Sequence, residues 1–138
     1  MGAVGAASLR PAPVIDRGDP ADTTELALGA AAIAYDKKAE DIMVLDMRGL
    51  VDYTDHLVIC TGRTPRQTKA IAEDLRYRLK HDFGVTPRQV EGQKEGDWIL
   101  VDALDVVIHV FTPEAREFYR LERLWREAPN TPFDPPAL

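Results

Sequence analysis

The chain has 138 residues, of which 45% are hydrophobic, and these values predict a single domain with one buried core. Its formal net charge of −6 disfavours a nucleic-acid backbone as the main ligand, because phosphate binding needs clustered Lys and Arg. The charge favours a basic or a neutral partner. No apolar run is long enough to cross a bilayer, and the first residues lack a secretory or transit pattern. We therefore expect a cytoplasmic protein without a membrane partner.

Prolines divide the chain into three parts. Seven of the ten prolines lie near the two ends, at Pro11, Pro13, Pro20, Pro129, Pro132, Pro135 and Pro136. Such ends are typical of mobile segments. We predict a flexible N-terminal arm over 1–22, one α/β domain over 23–128 and a proline-rich C-terminal tail over 129–138.

The sequence of the first half of the domain predicts a helix and two strands. Thr23 or Thr24 can cap a first helix that runs toward Lys38. Strands are expected over 42–47 and 57–61. The second of these is apolar on both faces, which predicts a central position in the sheet.

A second helix is predicted between a threonine cap and a glycine. Thr64 can cap it, and Pro65 is tolerated at the first helical position. Gly84 is placed to end it. Its buried stripe is expected at Ile71, Leu75 and Leu79, which recur at helical spacing.

Three strands then follow. A short edge strand is expected over 88–91, and the strands over 98–102 and 106–111 are close enough to form an antiparallel hairpin. The strand–helix–strand order earlier in the chain favours a parallel crossover. The fold class is therefore α/β, with a mixed five-stranded sheet flanked by helices.

A last helix should start at Thr112 and Pro113, which repeat the cap-and-proline pattern. Its inner stripe is predicted at Phe118, Leu121, Leu124 and Trp125. Its charged face is predicted to be solvated and joined by weak ion pairs, at Arg116, Glu117, Arg120, Arg123 and Glu127.

The loop between Thr61 and Thr64 is a candidate phosphate site. It joins a strand to a helix N-terminus, where free N–H groups and the helix dipole attract anions, and Arg63 and Arg66 would help. The loop has a single glycine and lacks the Gly-Lys-Ser/Thr ending of a Walker motif. An ordinary capped turn is preferred, and a nucleotide-binding enzyme is kept as an alternative.

For the other candidate reactive side chains, a structural role is preferred over a chemical one. Asp97 and Asp102 lie about five residues and roughly 16 Å apart along a strand, so they cannot share one ion. Asp102 and Asp105 alone make a weak metal site. Cys60, the only cysteine, lies in an apolar strand, and His109 is expected to be a buried, hydrogen-bonded side chain. No catalytic residue, metal or cofactor is predicted.

Trp98 is the strongest binding candidate. By strand alternation it shares a face with Leu100 and Asp102. A large aromatic beside acids is typical of a core and also of an interface centre, and the spacing leaves both interpretations open.

The region from about Leu26 to Pro129 resembles the ribosomal silencing factor family, also called Iojap-related. Four segments carry the resemblance, in this order: KAEDIMVLDMRGL, TDHLVICTGRTPRQTKAIAEDL, VEG followed by DWILVD, and DVVIHVFTPEAREFYRLERLW. Their order and spacing together make it specific, and the proline-bearing ends fall outside it.

The resemblance implies a non-enzymatic protein with a fold like that of nucleotidyltransferases but without their catalytic residues. It implies binding to the large ribosomal subunit through large-subunit ribosomal protein fourteen, with little direct RNA contact. The bound factor would block joining with the small subunit and repress translation when nutrients are short. Members are often dimeric when free, which implies a homodimer. Organellar members are linked to large-subunit assembly, so an assembly factor is the alternative function.

The resemblance assigns partner binding to the predicted hairpin. Trp98 matches the tryptophan that members use toward the ribosomal protein, and Asp102 and Asp105 match acids around the same hairpin. Strand geometry extends this patch to Leu100 and Val106.

One position departs from the family pattern. Many members have Gly-Asp at the hairpin turn, where this chain has Leu104-Asp105. A turn without glycine can take another form, which affects the placement of Asp105.

Overall fold

The computed structural model describes residues 20–135. Residues 1–19 of the predicted arm and residues 136–138 of the predicted tail lie outside this range. The elements in chain order are α1 (Pro20–Asp36), β1 (Glu40–Asp46), β2 (His56–Thr61), α2 (Pro65–Phe83), β3 (Gln89–Glu91), β4 (Trp98–Asp102), β5 (Val106–Phe111), α3 (Pro113–Tyr119) and α4 (Leu121–Leu124). None of these helices combines the length and apolar composition needed to span a bilayer.

The predicted mixed sheet is confirmed. Its five strands lie in the order β1-β2-β5-β4-β3. β2 and β5 are parallel, and every other neighbouring pair is antiparallel. All six residues of β2 and of β5 are buried, as the apolar sequence of these central strands requires. The predicted edge strand and hairpin are β3 and the pair β4–β5.

The helices cover the two faces of the sheet unequally. α1 has 17 residues and α2 has 19, and their apolar side chains form one large cluster with one face. The other face packs against Ala115, Leu121 and Trp125 from α3, α4 and the turn after them. These two helices have only 7 and 4 residues, so they leave part of that face open.

The first helix begins earlier than predicted. It starts at Pro20, so neither Thr23 nor Thr24 is its cap. Proline suits the first turn of a helix because its φ is already helical and its missing N–H has no partner there. Thr23 is buried inside the helix.

The predicted caps of the second helix are confirmed. The Thr64 side chain accepts a hydrogen bond from the Gln67 N–H, and Pro65 is the first helical residue. Gly84 ends the helix with φ of 70°, a left-handed conformation that glycine adopts without a Cβ clash.

The last helix differs from the predicted one. Thr112 caps α3 as expected, but Arg120 adopts φ of 49° and separates α3 from α4. Two of the side chains predicted to face inward point to solvent: Phe118 is 79% exposed and Leu124 is 70% exposed. The predicted inner stripe was therefore wrong at these two positions, whereas Leu121 and Trp125 pack against the sheet.

Arg116 also differs from its prediction. Its side chain is only 11% exposed and pairs with Glu122 at 3.1 Å. It donates further hydrogen bonds to the Asp41 carbonyl at 2.6 Å and to Thr61 Oγ1 at 2.8 Å. Arg116 therefore fastens α3 to β1 and β2 and does not belong to a solvated face.

The chain after Ala128 continues to contact the sheet. The Asp46 N–H donates to the Pro129 carbonyl and the Thr131 N–H donates to the Val44 carbonyl, both at 2.8 Å. These bonds extend the packed region beyond the end predicted for the domain.

The β4–β5 turn keeps a conformation that favours glycine although it contains Leu104. Leu104 has φ of 70°, and its N–H donates to Asp102 Oδ1 at 2.9 Å. The Ala103 N–H donates to the Val106 carbonyl and closes the turn. Leu104 therefore bears the steric cost of a left-handed conformation.

We expect Leu104→Gly to be more stable than Leu104→Ala by about 1 kcal/mol, because both variants lose the same side chain and only glycine relieves the left-handed strain. Urea unfolding of the two variants measures this difference. Arg76→Gly and Arg76→Ala are the control pair, at an exposed position in α2. Here the glycine variant should be the less stable one, since glycine is unfavourable in a helix. Equal unfolding free energies of Leu104→Gly and Leu104→Ala would contradict the proposed steric cost at Leu104.

Candidate functional site

The predicted binding residues of β4 lie on the more open face of the sheet. Residues that pair directly across antiparallel strands point to the same face. Trp98 is paired with Phe111, Leu100 with His109, and Asp102 with Val107. We call the surface formed by Trp98, Leu100, Asp102, His109 and Phe111 the hairpin face. Trp98 and Leu100 are half-buried at its surface.

Trp98 is held from several sides. Its indole Nε1 donates a hydrogen bond to His109 Nδ1 at 2.9 Å. Its ring stacks on Phe111 with centroids 5.0 Å apart and contacts Tyr119 at 4.6 Å. The side chain thus packs on the core and remains partly accessible, which is compatible with both interpretations that the sequence left open.

His109 is confirmed as a buried, hydrogen-bonded histidine. Because its Nδ1 accepts the indole hydrogen, this nitrogen carries no proton. Burial lowers the pKa of His109 to about 4, so the ring is neutral near pH 7. A neutral ring keeps the acceptor that fixes Trp98.

Two residues that support Trp98 were not identified from the sequence. Gly92 has φ of 87°, and a Cβ there would collide with the Trp98 carbonyl oxygen. In the sequence, Gly92 of the VEG segment could have indicated this close approach, because glycine has no Cβ. Tyr119 was missed because the predicted inner stripe turned Phe118, and not Tyr119, toward the sheet.

Asp102 is held within the protein. Its side chain is 13% exposed, and its Oδ2 pairs with Arg88 at 2.7 Å. Its Oδ1 accepts the Leu104 N–H. Oδ1 therefore stabilises the hairpin turn and Oδ2 joins the end of β4 to the residue before β3, which leaves Asp102 less available to a partner than the sequence suggested.

Asp105 is half-buried in the same turn. Its carbonyl oxygen accepts hydrogen bonds from the N–H groups of Asp55 at 3.0 Å and His56 at 3.1 Å. These bonds fasten the hairpin turn to the start of β2. The Leu-Asp turn is thus anchored on both sides.

Val106 does not lie on the hairpin face. It is fully buried and packs in the cluster that contacts α1 and α2. Since Val107 pairs with Asp102, strand alternation turns Val106 to the opposite side of the sheet. The extension of the patch to Val106 is corrected accordingly.

The loop between Thr61 and Thr64 forms a capped turn. The Gly62 N–H donates to the Phe111 carbonyl, and the Arg63 N–H donates to Gln67 Oε1. The Arg63 guanidinium pairs with Glu40. The Gly62 and Arg63 donors are thus used inside the protein, which favours the capped turn, while Arg66 is exposed at the start of α2.

Two further candidates from the sequence were a reactive cysteine and a carboxylate metal site. Cys60 is buried, and burial raises the pKa of its thiol to about 12, which disfavours a reactive thiolate. Among residues 20–135, no three His, Cys, Asp or Glu side chains are grouped so that they could hold a metal ion.

Acidification should destabilise the protein through His109. The unfolded imidazole binds a proton below about pH 6.5, whereas the folded one does so only near pH 4. The unfolding free energy should therefore fall by up to about 3 kcal/mol between these values. His109→Gln removes this titration, so its pH curve should be flatter than that of the wild type in urea unfolding.

His81→Gln provides the control, because His81 is exposed in the last turn of α2. This variant retains His109, so its unfolding free energy should still fall on acidification. Burial also lowers the pKa of His56, but His56 is present in every variant and its contribution cancels. Parallel curves for wild type and His109→Gln would contradict the assignment.

Comparison with known proteins gives consistent matches. The family model described as ribosomal silencing factor during starvation matches residues 20–137. A ribosomal silencing factor from Bacillus subtilis is 42% identical over 105 residues, which cover 76% of this chain and 88% of the relative. A mouse protein named for mitochondrial assembly of the ribosomal large subunit is 34% identical over 126 residues, 88% of this chain and 52% of that protein.

A solved structure also matches. The crystal structure of a Chromobacterium violaceum protein superposes with a TM-score of 0.70 at 34% identity, over 87% of this chain and 92% of the other. The match to the family model spans all of the described elements from α1 to α4. The chain therefore belongs to the ribosomal silencing factor family.

Proposed function

We propose that this protein silences translation by binding the large ribosomal subunit through large-subunit ribosomal protein fourteen and blocking entry of the small subunit. Family membership supports a ribosome-associated role. The observation that carries the proposal is Trp98, which is held in one orientation at the surface of the incompletely covered sheet face. The net charge of −6 suits a basic ribosomal protein better than RNA.

A fixed Trp98 is suited to anchor a partner. Tryptophan is enriched among the residues that dominate binding energy at interface centres. The hydrogen bond to His109 and the contact with Phe111 order the side chain before binding, so less conformational entropy is lost when a partner docks. Leu100 extends the apolar surface beside Trp98.

The acidic residues of the hairpin serve this anchor in different ways. Asp102 positions the turn through Arg88 and Leu104, and Asp105 fastens the turn to β2. We therefore assign binding energy chiefly to Trp98 and Leu100, with the acids shaping the surface and contributing to its negative field.

Steric exclusion explains how a small domain could repress translation. A protein bound on the subunit-facing side occupies the space that the small subunit needs, so no reacting group is required. The proposed site of action is the cytoplasm, and the homodimer of the free protein implied by the family resemblance stays a prediction.

A role in large-subunit assembly is the second candidate. The name of the mouse relative supports it, since that protein is named for assembly of the mitochondrial large subunit. Both roles could use the same docking surface. Depletion of the protein separates them: accumulation of large-subunit precursors would indicate assembly, whereas normal precursors with excess joined ribosomes would indicate silencing.

Trp98→Ala should weaken binding to purified large subunits by about 2 kcal/mol, because it removes the proposed anchor. Sedimentation of large subunits with the protein measures binding, and addition of small subunits measures joining. Tyr77→Ala is the control, since Tyr77 is 60% exposed on α2, across the sheet from the hairpin face. Unchanged subunit joining in the presence of the wild-type protein would refute silencing.

A further inference from the structure

An exposed aromatic row continues from Trp98 onto α3. Tyr119 contacts the Trp98 ring with centroids 4.6 Å apart. Phe118 meets Tyr119 edge to face, at 5.0 Å and an interplanar angle of 87°. Tyr119 is 51% exposed and Phe118 is 79% exposed. The three rings form one continuous surface that crosses from β4 to α3.

The exposure of Phe118 follows from the orientation of α3. Ala115 and Arg116 face the sheet and Tyr119 contacts Trp98 and Phe111, so the helical spacing turns Phe118 toward solvent. Burial of an apolar ring is favourable, and the exposed Phe118 ring does not use this gain in the isolated protein. Exposed apolar patches of this kind mark sites of protein contact.

A carboxylate lies on the other side of Trp98. Glu91 on the edge strand β3 is exposed and pairs directly with Leu100, so it points to the same face. It is a diagonal neighbour of Trp98, about 7–8 Å away between backbones. Gln89 donates a hydrogen bond to the Glu91 carboxylate and orients it. Asp102, in contrast, is largely buried and pairs with Arg88 inside the protein.

We propose that the docking surface extends beyond the hairpin face on two flanks: Tyr119 and Phe118 receive an apolar side chain of the partner, and Glu91 receives an arginine or lysine. The inference rests on the proposed function, and its occupant is the same basic ribosomal protein. Continuity with Trp98 supports the aromatic flank, and charge complementarity supports the acidic flank.

The two flanks differ in their response to salt. An apolar contact at Phe118 is insensitive to moderate salt because it involves no net charge. An exposed charge pair at Glu91 weakens as ions screen it. Measurement at low and high ionic strength therefore separates the two contributions.

The test uses the full chain and purified large ribosomal subunits, with binding measured by sedimentation at two salt concentrations. Phe118→Ser should lose about tenfold in affinity at both. Glu91→Gln should lose about threefold at low salt and little at high salt. Tyr77→Ser and Glu25→Gln are the controls, since both side chains are exposed on helices of the opposite face and should leave affinity unchanged.

The outcomes distinguish this inference from the proposed function. If Trp98→Ala loses binding while Phe118→Ser and Glu91→Gln bind like the controls, the flanks are refuted and the function stands. If wild-type protein does not bind large subunits, both the two flanks and the proposed function are refuted. If Phe118→Ser only converts a dimer to a monomer in light scattering, the aromatic flank serves self-association and the inference is overturned. Thermal melting of each variant verifies that these exposed substitutions leave the fold intact.

Discussion

The hydrogen bond from Trp98 to His109 is the contact on which the proposed docking surface depends. It joins the start of β4 to the middle of β5 and holds a large aromatic ring across both strands. Gly92 allows the edge strand to approach the Trp98 backbone, and Tyr119 closes the free side of the ring. Because His109 is buried and neutral, the acceptor is present at neutral pH.

The unequal cover of the sheet explains why this ring is accessible at all. Two long helices bury one face completely enough to stabilise the domain. The short α3 and α4 cover the other face chiefly over β1, β2 and β5. The side chains of Trp98 and Leu100 lie where that cover ends. The larger apolar cluster lies on the face covered by the long helices, so we expect exposed substitutions at the proposed docking surface to leave the fold intact.

The caps of α2 could be predicted from the sequence, whereas the break between α3 and α4 could not. Thr64 and Gly84 act within one turn of their own helix, so their capping roles follow from residue type and spacing. The left-handed Arg120 interrupts a pattern that favours a continuous helix, and packing against the sheet decides where the break lies. Val106 was placed on the wrong face because side chains alternate between the two faces separately in β4 and in β5, and the turn between the strands sets which β5 residue comes first on each face. The pairing of His109 with Trp98 depends on the register between two strands.

The segment after Ala128 has a further consequence for solubility. β1 is an edge strand, and an edge with free N–H and C=O groups is a template onto which strands of other molecules can add. The chain occupies part of this edge itself, through Pro129 and Thr131 bonded to Asp46 and Val44. Proline at this position also interrupts any further strand growth. Residues beyond the core thus occupy hydrogen-bonding groups of β1 that a strand from another molecule would otherwise need.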